Sequence, residues 1–260
     1  MLRARKHLLS AMGDLAARDF DERMLSHLRE MSPAHFRALS DDDARVVLSL
    51  GQERAARYGL TSERGIRYYV DTMFLFGSFF DEDPLLPWAA QCLSRAGHEP
   101  EDATIDRLKE RAWEEVSAQK PEQATLLENG AALLVAELRR VRAEPNEPLL
   151  EVFVAPLIQR AFDRLIALLP VKAERAGAQR AREAVAAGVD EANRLGLTTV
   201  RGAALLTETR FLLGCGVARD PLLPALSRAV RDASIPSAAE RVDSVYSLLL
   251  DQLRFWGSAS

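Results

Sequence analysis

Few side chains in this sequence could do chemistry: four histidines (His7, His27, His35, His98), two cysteines (Cys92, Cys215), some arginines, and one acidic, aromatic stretch. Metal binding needs ligands at set spacings, and the sequence holds neither His-Glu-x-x-His nor Cys-x-x-Cys. All four histidines fall in the first half, so they read as surface scatter. The cysteines occupy non-equivalent places in the two halves, which argues against a disulfide or metal framework. No Gly-x-Ser-x-Gly elbow and no phosphate-cradling glycine loop occurs. The expectation is no catalytic residue, no metal and no cofactor.

The arginines offer anion binding. Arg57 precedes "GLTSERG" at 59–65 and Arg64 lies within it, as Arg194 and Arg201 do for its near-copy "GLTTVRG" at 196–202. They either brace helix-end carbonyls and pair with carboxylates such as Asp106 and Asp243, or form two equivalent anion pockets. The structural role is the expected one, because helix ends leave carbonyls that need donors. The stretch "FGSFFDEDPLLPW" at 76–88 offers recognition instead. Its counterpart, "LGCGVARDPLLPA", lacks Phe79, Phe80, Asp81, Glu82 and Trp88. Aromatics beside acids on a loop suit a partner-binding tip, with an apolar anchor and a charged rim. The alternative is that Phe79 or Phe80 enters the core while the acids load a helix N-terminus.

The elements that must carry these residues are helices, and they come twice. At one offset of 137 residues, Gly51, Gly59, Gly77 and "DPLLP" at 83–87 fall on Gly188, Gly196, Gly214 and "DPLLP" at 220–224. From 51 to 96, 18 of 46 aligned positions are identical, where average residue usage gives about three. The expected fold is all-α: two tandem duplicated domains of about five helices each (1–120 and 148–260), joined by a connecting helix or linker at 121–147. Helices are expected near 3–31 and 148–169, 41–58 and 171–195, 62–77 and 199–214, 84–96 and 221–232, and 102–118 and 238–256. Ser40 should cap the second helix and glycine should end it at Gly59, with Thr61 capping the next. Asp83 and Asp220 should cap helices whose first residue is proline. Ser237 and Glu240 should form a capping box.

Composition fits this reading. The chain has 260 residues, 48% of them apolar and 28% charged, with a formal charge of −4. That charge supplies no basic field for nucleic acid. The helix after Gly59 is also too apolar to read a DNA groove. The longest apolar run, "AALLVA" at 131–136, is far short of the roughly 20 residues of a membrane span. With two thiols and no signal-peptide pattern, the expected location is the cytoplasm. Charge is uneven: residues 1–118 carry 16 basic and 21 acidic side chains, residues 146–260 carry 14 and 13.

The segments "RMLSHLREMSP" and "ERAARYGLTSERGIRYYVDTMFLFGSFFDEDPLLPW" resemble a largely uncharacterised family of helical bacterial proteins. That family is associated with type VI secretion and polymorphic-toxin gene clusters. The resemblance covers about residues 3–118. The second half departs from it, with Leu195, Arg210 and Ala225 where the first has Tyr58, Met73 and Trp88. The resemblance implies a non-enzymatic cytoplasmic protein that binds a secreted toxin, an effector or a secretion component, acting as adaptor or chaperone, or as an immunity protein. A competing class is a ligand-binding or catalytic helical protein with its site between the two halves. Oligomeric state stays open.

Overall fold

The computed structural model describes residues 18–118, 129–232 and 234–257. Residues 3–17 of the first expected helix, and 121–128 of the connecting segment, lie outside the described residues. Among the described residues the architecture is all-helical, with no β-strand and a single isolated bridge between Pro148 and Thr199.

Element bounds recur at the 137-residue spacing. Asp41–Arg57 answers to Ala178–Arg194, Glu63–Phe76 to Val200–Leu213, and the short 3₁₀ turn Phe80–Glu82 to Val217–Arg219. Pro87–Leu93 and Pro224–Ala229 start in register, as do Glu101–Ala118 and Ala238–Gly257. Pro170–Ala176 begins in register with the shorter Pro33–Phe36. A helix over 18–31 stands where the second half has Glu151–Leu168. Asn129–Arg142 precedes the second half.

Local chemistry explains most of these limits. Ser40 Oγ accepts from the Asp43 amide and the Asp43 carboxylate reaches back, closing a capping box before an acidic first turn. The helix stops at Gly59, whose φ of 68° has its equal in 73° at Gly196. Only glycine reaches this left-handed conformation without a Cβ penalty. The next cap sits one residue beyond the expected Thr61: Ser62 Oγ accepts from the Gly65 amide at 3.0 Å, and Thr199 does the same for Gly202. The Ser237 hydroxyl accepts from the Glu240 amide, which is one of the two bonds of the expected capping box. The expected continuous helix over 171–195 is broken at Gly177, with φ of 88°. The equivalent position is Ser40, where the first half also breaks.

The third helices, Glu63–Phe76 and Val200–Leu213, lie at the centres of two cores. Tyr69, Val70, Met73 and Phe74 join Leu28, Leu48 and Ile105 in the first. Leu205 and Leu206 join Val242, Leu249 and Leu138 in the second. The cores interlock. Leu85 of the first half packs with Phe162, Leu165, Val185 and Phe211 of the second, while Leu222, at the equivalent position, packs into the first core.

Candidate functional site

The 76–88 stretch does not form the exposed tip that its composition suggested. Phe79, Phe80 and Trp88 are 7%, 1% and 5% exposed, and Asp81 is buried with them. Phe80 lies between Tyr69 and Trp88, with ring centroids 5.0 and 6.5 Å away. Burial of rings this large removes more apolar area from water than any other residue type offers, so the core claims them. Of the five residues expected at a partner site, only the Glu82 side chain is substantially exposed.

Asp81 supports an internal network. Its carboxylate accepts from buried Arg54 at 2.6 Å and from the Tyr58 hydroxyl at 2.9 Å. Burial works against the Arg54 charge, yet the hydrogen bond and charge of Asp81 hold this guanidinium above its ordinary range. Burial, followed by the Asp81 charge, pushes the Tyr58 phenol up to about 12. Glu82 bridges two guanidiniums, Arg54 at 2.8 Å and Arg219 of the second half at 2.9 Å. Desolvation opposes its ionisation, but the two arginines hold it below the usual carboxylate range. The ring of Phe79 is sandwiched between the same arginines, 4.7 Å from Arg54 and 4.0 Å from Arg219.

This network is a junction between the halves, and its parts face their own equivalents. A Cβ on Gly216 would overlap the Phe79 ring, and one on Gly77 would come 2.7 Å from the Leu213 carbonyl. Asp83 and Asp220 do not cap the proline-led helices, which begin at Pro87 and Pro224 with Leu86 and Leu223 before them. Each instead holds its own turn with one oxygen, through Leu85 or Leu222, and reaches across with the other. Asp83 accepts from the Cys215 amide at 3.0 Å; Asp220 accepts from the Ser78 amide at 2.8 Å, and from the Ser78 hydroxyl. Burial raises the Asp220 carboxyl, against the pull of those Ser78 donors. The loop that resembled a partner site binds the other half of its own chain. In the second half Glu191 stands where the first has Arg54, and it pairs with Arg210.

The four corner arginines do not converge. Arg57 pairs with Glu53 at 2.6 Å, one turn back on its own helix. Arg64 binds Asp102 and Asp106, the latter at 2.8 Å, while Arg201 binds Asp243 and the Glu144 carbonyl, both at 3.0 Å. Arg194 is exposed. The Arg64–Asp106 and Arg201–Asp243 pairs each tie a third helix to a fifth, which is the bracing role.

Three features escaped sequence reasoning. His35 is not on the surface: it is buried, hydrogen-bonded to Ser32 at 2.7 Å and packed edge-on against Phe74 and Trp256. Burial lowers its pKa to about 3, so it is neutral. A cleft of about 520 Å³ runs beside Glu82, Pro84, Pro87 and Arg180. A groove of about 480 Å³ lies on the first half, lined by Phe20, Met24, Tyr68, Arg23, His27 and Arg64. Among the described residues no group of three or more His, Cys, Asp or Glu could hold a metal ion, and no helix is long and apolar enough to cross a membrane. No protein-family model, curated protein or solved structure gives a significant match to the chain.

Proposed function

We propose that the chain is a tandem duplication of one helical domain, and that it acts as a non-enzymatic, cytoplasmic scaffold that binds a protein partner. Following the resemblance, the partner is a secreted bacterial toxin, an effector or a component of a type VI secretion apparatus, and the role is that of adaptor or chaperone. The observation that carries the binding role is Trp113, 71% exposed on the helix Glu101–Ala118. Aromatic residues on rigid elements are the usual anchors of protein interfaces. A second outward apolar group, with Val152 at 70% and Phe153 at 51%, opens the helix Glu151–Leu168. The titratable groups at the junction weigh against a ligand or catalytic site there, since Arg54, Asp81, Glu82 and Arg219 are taken up by one another.

The immunity role is the second reading, favoured by the excess of acidic side chains in residues 1–118, which suits a basic toxin. Co-purification from the native host with a tagged chain tests the proposal, with Trp113→Asp as the folded control for the surface. Recovery of a toxin or secretion component with the wild type but not with the variant is the expected result. A chain that recovers no protein partner, or turns over a small molecule, would overturn it. Addition of the chain to the recovered toxin separates the two roles: an immunity protein abolishes the toxin's activity, and an adaptor leaves it intact.

A further inference from the structure

Positions 35 and 172 are equivalent in the two halves, and each faces an aromatic ring of its own third helix. Lys172 sits over Phe211, and its ammonium donates to the Phe211 carbonyl at 2.7 Å. That carbonyl needs a donor, because the amide four residues on, that of Cys215, is turned across the junction to Asp83. In the first half the Ser78 amide is turned to Asp220 in the same way. The Phe74 carbonyl is thereby placed as that of Phe211 is, but His35 stands where the second half has Lys172. The imidazole is the shorter side chain, and its Nδ1 is engaged by the Ser32 hydroxyl at 2.7 Å.

Beside His35 lies a cavity of about 20 Å³, lined by His35, Phe74, Gly77, Asp220, Leu222 and Trp256 among others. The equivalent cavity of the second half, which Phe211, Asp83 and Leu85 help to line, measures about 10 Å³. The larger one is polar as well as roomy. Trp256 is buried, and among the described residues nothing accepts from its indole N–H. A buried site holds a water molecule when it offers roughly 10–15 Å³ and two to four hydrogen-bonding partners, whereas a purely apolar one stays dry. This cavity meets both conditions.

We infer that this cavity binds one water molecule, which serves the Phe74 carbonyl as the Lys172 ammonium serves that of Phe211. The water accepts from the Trp256 indole and donates to the Phe74 carbonyl, with its second hydrogen on Asp220. One small ligand then ties together the third helix of the first half, the last helix of the second and a crossed aspartate. Its bonds add to the one by which Arg37 donates to the Trp256 carbonyl at 2.8 Å, fastening the end of the last helix to the first half. Bridges of this kind approach direct hydrogen bonds in enthalpy.

A crystal structure of the full chain tests the inference. A solvent peak is expected within about 3.2 Å of both the Trp256 indole nitrogen and the Phe74 carbonyl oxygen. In solution the Trp256 indole proton should show a nuclear Overhauser effect to water, with the sign of a long-lived contact. Loss of that signal in Trp256→Phe assigns it. His35→Lys should abolish the solvent peak and bring the introduced ammonium to the Phe74 carbonyl. Should that variant fail to fold, the peak and the Overhauser effect in the wild-type chain decide the matter. An empty cavity overturns the inference, as does one filled by a side chain of residues 258–260. A peak that stays in place in a folded His35→Lys chain overturns the equivalence with the Lys172 ammonium on which the inference rests.

Discussion

Phe79 and Gly216 occupy equivalent positions in the two halves, and they meet: the Phe79 ring fills the space that any side chain at 216 would need. The same self-facing relation joins Glu82 to Arg219, 2.9 Å apart, and sets Gly77 against the Leu213 carbonyl as it sets Gly214 against that of Phe76. Large meets small and negative meets positive. The pairing favours contact between unlike halves, because two copies of the first would set ring against ring and carboxylate against carboxylate.

Gly216 has an ordinary φ of −90°, so its replacement is penalised only by crowding. Gly216→Leu should destabilise the chain by about 1–3 kcal/mol through overpacking. Combining it with Phe79→Ala should cost less than the two changes summed, because the removed ring makes room. Urea melts of the four proteins measure this coupling. Additive effects would show that the two positions do not share a space.

Leu85→Ala and Leu222→Ala should each cost about 2–5 kcal/mol, as buried leucine deletions do. Each removes packing from the half to which the residue does not belong. Protection of the Leu213 and Phe76 amides in hydrogen exchange should fall in both variants. A change limited to the mutated half would contradict the crossed packing.

Arg54→Ala leaves Asp81 buried without its counter-charge, and should cost about 3–5 kcal/mol. Arg54→Met together with Asp81→Leu should recover much of that loss, since a buried pair replaced by apolar groups is often neutral. Equal stability of the single and double variants would show that Tyr58 alone can satisfy Asp81.

His35 gives a pH signature. Burial holds its pKa at about 3 in the folded chain, against about 6.5 for an ordinary imidazole, so between these values the unfolded chain binds the extra proton. Stability should therefore be complete above pH 6.5 and fall as the pH drops towards 3, with a slope of up to roughly 1.4 kcal/mol per pH unit from this group. His35→Gln should flatten that limb relative to wild type in denaturant melts at pH 4, 5, 6 and 7. Parallel curves for the two proteins would place the acid loss in the carboxylates.

Helix limits were legible where the signal is local. Ser40 with Asp43, Gly59 and Gly196 act on backbone groups within one turn, so residue type and spacing determine what they do. The cap at Ser62, beside an equally suitable Thr61, shows how two adjacent hydroxyl residues blur a boundary by one residue. The break at Gly177 was readable from the equivalent break at Ser40, but a continuous run of helix formers hid it. Asp83 was not legible. An aspartate before proline looks the same whether it caps its own helix or accepts from an amide 132 residues away. For Phe79 and Phe80 the core alternative holds and the exposed tip does not, because an acidic, aromatic loop has one composition whether it faces solvent, its own core or another half. What makes room for Phe79 is a glycine in the other half, and no local pattern reports that.

The exchanged leucines and aspartates also bear on synthesis. As the chain leaves the ribosome, the first half emerges with a gap where Leu222 belongs and with the Ser78 amide lacking its acceptor. Neither defect can be mended until the segment around Asp220 has been made. The first half must wait, partly formed, through more than a hundred further residues. Nascent chains halted before that point are the ones on which chaperones and proteases should act.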